Sequence, residues 1–230
     1  MPTLAKTPSP RRKTAVKRSQ KLSSQDSGKD SSSISLRDEV VAYRKERILQ
    51  AACDAFYEHG YHECTVEMIA ERLSGSKAIV YYYFSDKHSI LYEIYRRALD
   101  EAQILILRAA ADHSSCKEKL VAIARAYANW VTDNTRTVGV YWREVQSLTP
   151  EARAAVFAEQ KKIDDVVAHV IRDGVADYTF KVSDVQTTAR AITGMITFTY
   201  TWWRDDKRLS REAVADSYAE MALRLVGSFT

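Results

Sequence analysis

From Arg44 onward apolar residues recur at three- and four-residue intervals, the period of helices packed along one side. The first such segment, Arg44 to Glu58, carries Ile48, Ala52, Ala55 and Phe56 on one face and stops at Gly60. Thr65 is placed to cap a second, two-turn segment in which Val66, Ile69, Ala70 and Leu73 turn inward and Glu67 lies near the positive end of the dipole. Ser74, Gly75 and Ser76 break that helix and restart it at once, giving a third short helix through Tyr82 that stops near Phe84 and Ser85. Two short helices joined by a tight glycine-containing turn are the helix-turn-helix pattern.

Longer helices follow, each with a start signal. Asp86 opens one running toward Ala111, Ser115 with Glu118 reads as a capping box for one to Val131, and Thr135 starts another to Leu148. Thr149, Pro150 and Glu151 put a cap, a helix-start proline and an acid in order ahead of a helix reaching about Gly174. Ser183 with Gln186 reads as the box opening a helix to Trp203, and Ser210 with Glu212 opens the last, which ends at Gly227. Seven glycines and four prolines in 230 residues are too few for the turns of a sandwich or barrel, so the fold class expected is all-α.

A net charge of +4 hides a split. Residues 1–37 hold nine basic side chains against Asp26 and Asp30, a net of +7, which leaves the rest at −3. The arm is rich in Ser and too poor in apolar residues to offset the entropy of ordering, and it reads as disordered. Any partner that is a polyanion must use that arm or a few well-placed cations in an acidic body. Three cysteines make no disulfide framework, which suits a reducing, cytoplasmic setting, and no segment has the ~18 apolar residues of a membrane helix.

Chemistry concentrates between Thr65 and Lys87. Ser76, Lys77, Tyr81, Tyr82 and Lys87 supply hydroxyl and ammonium donors on and beside a short helix, the requirement for reading bases and gripping flanking phosphates. The run ends Tyr81, Tyr83, Phe84 and Lys87, in the pattern Tyr-x-Tyr-Phe-x-x-Lys, and from Arg44 to Lys87 the chain resembles the TetR family of transcriptional regulators. The resemblance implies an N-terminal three-helix helix-turn-helix domain (residues 38–86) on a larger six-helix ligand-binding and dimerisation domain (residues 87–230). It further implies double-stranded operator DNA and a second copy of the chain as partners. Arg44, Thr65, Ser76, Lys77, Ile79, Tyr81, Tyr82 and Lys87 are then the DNA-binding candidates, while Ile69, Val80, Tyr83 and Phe84 pack the domain. The family usually places Gly at Ser74, Val at Gly75, Gly at Ala78 and Thr at Ile79, so Ile79 offers a methyl contact to thymine in place of a hydroxyl.

Large aromatics mark the second domain. Tyr127, Trp130, Tyr141, Trp142, Phe198 and Trp202 are candidate ligand-binding residues, and Met195, Phe198, Val214, Tyr218, Met221 and Leu225 form helical stripes suited to a two-fold four-helix interface. The run from Tyr141 to Glu151, Ile171 with Gly174, Phe180 with Asp184, and Gly194 to Trp203 resemble family members that control fatty-acid, aromatic-acid or steroid catabolism. That likeness implies an acyl-CoA-like effector, with Arg125, Arg143 and Arg204 as candidates for its phosphates and a drug-like or efflux substrate as the alternative.

Other chemistries find little support. Cys53, His59, His62 and Cys64 have no common zinc spacing, so no metal or other cofactor is expected. Ser74 and Lys77 match Ser-x-x-Lys without its companion motifs, and no Gly-rich phosphate loop or catalytic triad is present, so an enzyme is not expected. A helical adaptor without DNA binding is the competing class; it leaves the donors from Ser76 to Lys87 without a purpose.

Overall fold

In the computed structural model the described residues are 36–205 and 209–228, and they are helical with no strand among them. Nine α-helices follow in order: α1 (Leu36–His59), α2 (Val66–Arg72), α3 (Lys77–Tyr83), α4 (Lys87–Ala111), α5 (Cys116–Asp133), α6 (Thr135–Glu144), α7 (Pro150–Ala176), α8 (Val185–Thr197) and α9 (Arg211–Leu225). Short 3-10 turns, Val145–Ser147 and Phe198–Thr201, extend α6 and α8. The basic arm expected over residues 1–37 lies outside the described residues except for Leu36 and Arg37, which begin α1.

Most starts are where the caps place them. The hydroxyls of Thr65, Ser115, Thr149 and Ser210 accept from backbone N–H groups three residues on, and Asp86 does the same from Ser89 N at 2.6 Å. Three boundaries differ from expectation. Helix α1 begins eight residues before Arg44, and α8 is capped by Asp184, whose carboxylate accepts from Thr187 N at 2.7 Å, rather than by Ser183. A carboxylate is the stronger acceptor at a positive helix end, which favours Asp184 over its neighbour. The α-helical part of α8 also stops at Thr197, six residues short of Trp203.

Two non-glycine residues take left-handed backbone: Ser74 at φ 51° and Tyr178 at φ 62°. The turn between α2 and α3 therefore bends at Ser74 and not at Gly75. Gly174 has a different use. A Cβ there would sit 2.1 Å from the ring of Phe180, so the missing side chain is what lets that ring lie on α7.

Helices α1 to α3 form a small unit around Phe56, Ile69 and Val80, all buried. In the larger part α5 packs against α9 and lies against α4 and α7, with α8 packed against both α7 and α5. Helix α1 touches that body through α4 and α6.

Candidate functional site

Helix α3 is amphipathic over two turns. Val80 and Phe84 are buried and Tyr83 half-buried, so Lys77, Ala78, Ile79, Tyr81 and Tyr82 face outward, with Tyr82 74% exposed. Arg44, at the exposed end of α1, lines the same shallow groove as Ala78, Ile79 and Tyr82. Ser76 occupies the cap position of α3 without making a side-chain cap, so its hydroxyl is not spent on the helix. Lys77 Nζ lies 2.5 Å from Glu67 Oε1; the ammonium beside it holds the Glu67 carboxyl below its usual range. Both are exposed, and a phosphate competes for such a cation at little cost.

Lys87 is a correction. Its ammonium is spent on the carbonyls of Tyr61 (2.6 Å), His62 (3.2 Å) and Cys64 (2.7 Å) and stands 4.4 Å from the centre of the Tyr61 ring. An ammonium has three N–H groups, so none remains for a phosphate; Lys87 ties the start of α4 to the loop before α2. Thr65 belongs partly to the same class, because its hydroxyl oxygen accepts from Met68 N at 3.3 Å.

The larger part holds a narrow cavity of about 30 Å³ between α4, α5, α6 and α7. Tyr127, Trp130, Tyr141 and Trp142 all line it, joined by Ala98, Leu99 and Ala102 of α4, Val138 of α6 and Ile163 of α7. Thr137, Gln160 and Thr197 complete the wall, and Trp142, 46% exposed, stands where the cavity meets solvent. Burial pushes the Tyr127 phenol up to about 12, against the lowering effect of its 2.8 Å bond to Thr197.

Phe198 and Trp202 do not line this cavity; they are 61% and 42% exposed on the outer surface. The dimer stripes divide as well. Val214 and Tyr218 are buried, the latter accepting a 2.7 Å bond from Thr199, because that side of α9 is used against the protein's own α5. Phe198, Met221 and Leu225 stay exposed and Met195 half-buried, beside Gly194, where a Cβ would meet nothing within 4 Å. The three arginines proposed for phosphates are engaged: Arg125 with Asp216, Arg204 with the carbonyls of Trp203 and Thr201, and Arg143 with α1.

That last contact is one the sequence does not announce. Arg143 Nη2 donates to the carbonyls of Phe56 (2.8 Å) and Tyr57 (2.9 Å) at the end of α1, and its Nε reaches Glu144 at 3.1 Å. Arg136 pairs with Asp54 at 2.7 Å, and the Thr137 hydroxyl lies 3.4 Å from Cys53 Sγ. Helix α6 thus shows Val138, Tyr141 and Trp142 to the cavity and Arg136 and Arg143 to α1, while Thr137 touches both. The partners lie more than 80 residues apart, beyond the reach of local pattern.

A helix-turn-helix unit with an exposed second helix, fixed through one helix to a larger helical body, is the architecture of a DNA-binding regulator. Residues 48–94 match the family "Bacterial regulatory proteins, tetR family" and residues 113–226 match "Tetracyclin repressor-like, C-terminal domain". The solved structure of the TetR-family regulator PfmR from Thermus thermophilus is 31% identical, covers 77% of this chain and 97% of its own, and superposes with a TM-score of 0.72. AibR, solved with isovaleryl coenzyme A and operator DNA, is 26% identical over 81% of this chain and 100% of its own, with a TM-score of 0.72. The fatty acid metabolism regulator protein of Bacillus subtilis (strain 168) is 22% identical over 76% of this chain and 91% of its own length. The chain belongs to the TetR family of DNA-binding transcriptional regulators.

Proposed function

We propose that the protein is a cytoplasmic repressor that holds a palindromic operator as a homodimer and lets go when an acyl-CoA-type effector enters the cavity between α4 and α7. The observation that carries this reading is the position of α6, one face on the cavity and the other clamped to the end of α1. A ligand that displaces Tyr141 or Val138 moves the helix that carries Arg143, and with it the angle of α1 to α3 on the body. Grooves and phosphates recur at fixed spacing, so a small change in the separation of two heads costs simultaneous contact at both half-sites.

On the DNA side, Lys77, Ile79, Tyr81 and Tyr82 enter the major groove, Ser76 and Thr65 donate to phosphates, and Arg44 approaches along α1. Residues 1–37, with their net charge of +7, add counterion-release affinity that the acidic body lacks. Dimerisation uses the apolar face of Met195, Phe198, Met221 and Leu225 with Trp202; an exposed patch of this kind in a small domain marks an interface. The acyl-CoA class is favoured because an aromatic-lined cavity suits an acyl group and because AibR was solved with such a thioester.

The test is a gel shift on duplexes selected from random DNA, titrated with CoA thioesters, free acids and drug-like cations. Release by a thioester supports the reading. Release by drug-like cations alone reassigns the effector, and a shift that no class relieves removes the sensor role while leaving DNA binding intact.

A further inference from the structure

The one ammonium of α3 is bonded to an acid of the neighbouring helix. Lys77 is the first residue of α3, its Nζ lies 2.5 Å from Glu67 Oε1, and both side chains are more than half exposed. Glu67 sits in the first turn of α2, two residues after Thr65, while α3 itself carries no acid. Hydrogen bonds from Lys77, from its own backbone N–H and from the Thr65 hydroxyl keep the Glu67 carboxyl below its usual range, so it is an anion that only accepts.

A recognition helix enters the major groove with its N-terminal residues at the base edges. Lys77 is at that end of α3, and a carboxylate bonded to its ammonium comes within reach of the same edges. Phosphates repel an acid there, so its presence is unfavourable unless it meets a donor. Glu71, exposed one turn further along α2, carries the same charge but is bonded to neither Lys77 nor Thr65.

Donors in the major groove are few. The exocyclic amines of cytosine and adenine donate, whereas guanine and thymine present acceptors. In a G·C pair the two guanine acceptors lie side by side with the cytosine N4 amine beyond them; in an A·T pair the adenine N6 amine lies between two acceptors. A lysine beside a carboxylate matches the first order, with the ammonium across the two acceptors and the carboxylate on the amine. In the second order the ammonium finds a single acceptor. Opening the pair to admit these partners costs little, because an exposed ion pair in water is weak.

We infer that Lys77 and Glu67 together read one G·C base pair in each operator half-site, Lys77 donating to guanine O6 and N7 and Glu67 accepting from cytosine N4. This rests on the DNA-binding reading proposed above, in which Lys77 enters the major groove, and adds Glu67 as a specificity-determining residue outside the recognition helix. On any other sequence the carboxylate faces acceptors and phosphates, which weakens binding to the wrong DNA.

The experiment is selection of bound duplexes from random DNA by the full chain, for the wild type, Glu67→Ala, Lys77→Ala and Glu71→Ala. Competition binding on the selected operator and its single-base-pair variants follows, with thermal melting to confirm that each variant is folded. The expected result is a palindrome in which the wild type prefers G·C by at least about tenfold at one position of each half-site. Glu67→Ala and Lys77→Ala both relax that same position to under about threefold and keep the others, and Glu71→Ala relaxes none. Preferences unchanged in Glu67→Ala, or relaxed there and in Lys77→Ala at different positions, overturn the inference and leave DNA binding standing. A uniform rise in affinity for all sequences in Glu67→Ala, without a relaxed position, makes Glu67 a competitor of phosphate alone and overturns it equally. Failure of the wild type to enrich any sequence overturns the DNA-binding reading as well.

Discussion

The two functional faces of the molecule treat their polar groups in opposite ways. On the reading head, the donors of α3 are exposed, and its one ammonium, Lys77, is paired with Glu67. In the body, Trp130 Nε1 and Tyr141 OH are buried and unpaired. An exposed ion pair is worth little and exchanges its partner for a phosphate at small cost, so the pairing of Lys77 does not argue against a role on DNA. A buried donor has no bulk water to fall back on, so its partner has to come from inside the fold, as an ordered water or a bound molecule. Partnering reports function only after burial is taken into account.

Lys87 and Gly174 show where the two regions are fixed, and altering them gives the largest expected effects. Gly174→Ala places a methyl group against the Phe180 ring on the helix that supplies Gln160 and Ile163 to the cavity wall. We expect a loss of about 3 kcal/mol, read as a drop in thermal midpoint. Lys87→Met removes three carbonyl contacts and is expected to cost about 2 kcal/mol while leaving the salt dependence of operator binding unchanged. Lys77→Ala is the converse: an unchanged midpoint, weaker operator binding, and a salt slope smaller by about 1. If Lys87→Met lowers the slope and spares the midpoint, the division of labour within the head is wrong.

Smaller effects sharpen the same contrast. Ser74→Gly relieves a left-handed serine in the turn of the head and is expected to stabilise by about 1 kcal/mol, with no change in response to effector. At the seam, Arg96 and Arg97 hold the Glu93 carboxyl at about 2, below its ordinary 4.5, and Arg97 also pairs with Glu46 of α1. A carboxyl held low in the folded state contributes stability above its unfolded value and loses it as pH falls from about 4.5 toward 2. Glu93→Gln is therefore expected to cost under about 1 kcal/mol near pH 7, with the deficit shrinking across that acid window in urea melts.

Much of this is legible in the residues. Thr65, Asp86, Ser115, Thr149 and Ser210 announce their helices because a cap acts within three residues, and the outward face of α3 follows from the burial of Val80 and Phe84 alone. Tyr127 and Trp130 line one cavity from a face that their three-residue spacing already joins, whereas Tyr141 and Trp142 are adjacent in sequence and reach it from neighbouring faces of α6. Periodicity does not say which partner covers a stripe: Val214 and Tyr218 face the chain's own α5, whereas Met221 and Leu225 on the next face of α9 are left open. The roles of Lys87 and Arg143 escape the sequence for a related reason, since their acceptors are carbonyls 23 and 87 residues away, which carry no side-chain signature. The turn bends at Ser74 although Gly75 is the residue that tolerates it best.

Coupling through α6 is tested most directly by Arg143→Gln, measured as operator affinity with and without a saturating acyl thioester. The clamp predicts near-normal operator binding without ligand, near-normal thioester binding by calorimetry, and a ligand-induced loss of operator affinity reduced at least tenfold from that of the wild type. A variant that binds the thioester and releases the operator as fully as the wild type contradicts transmission through Arg143.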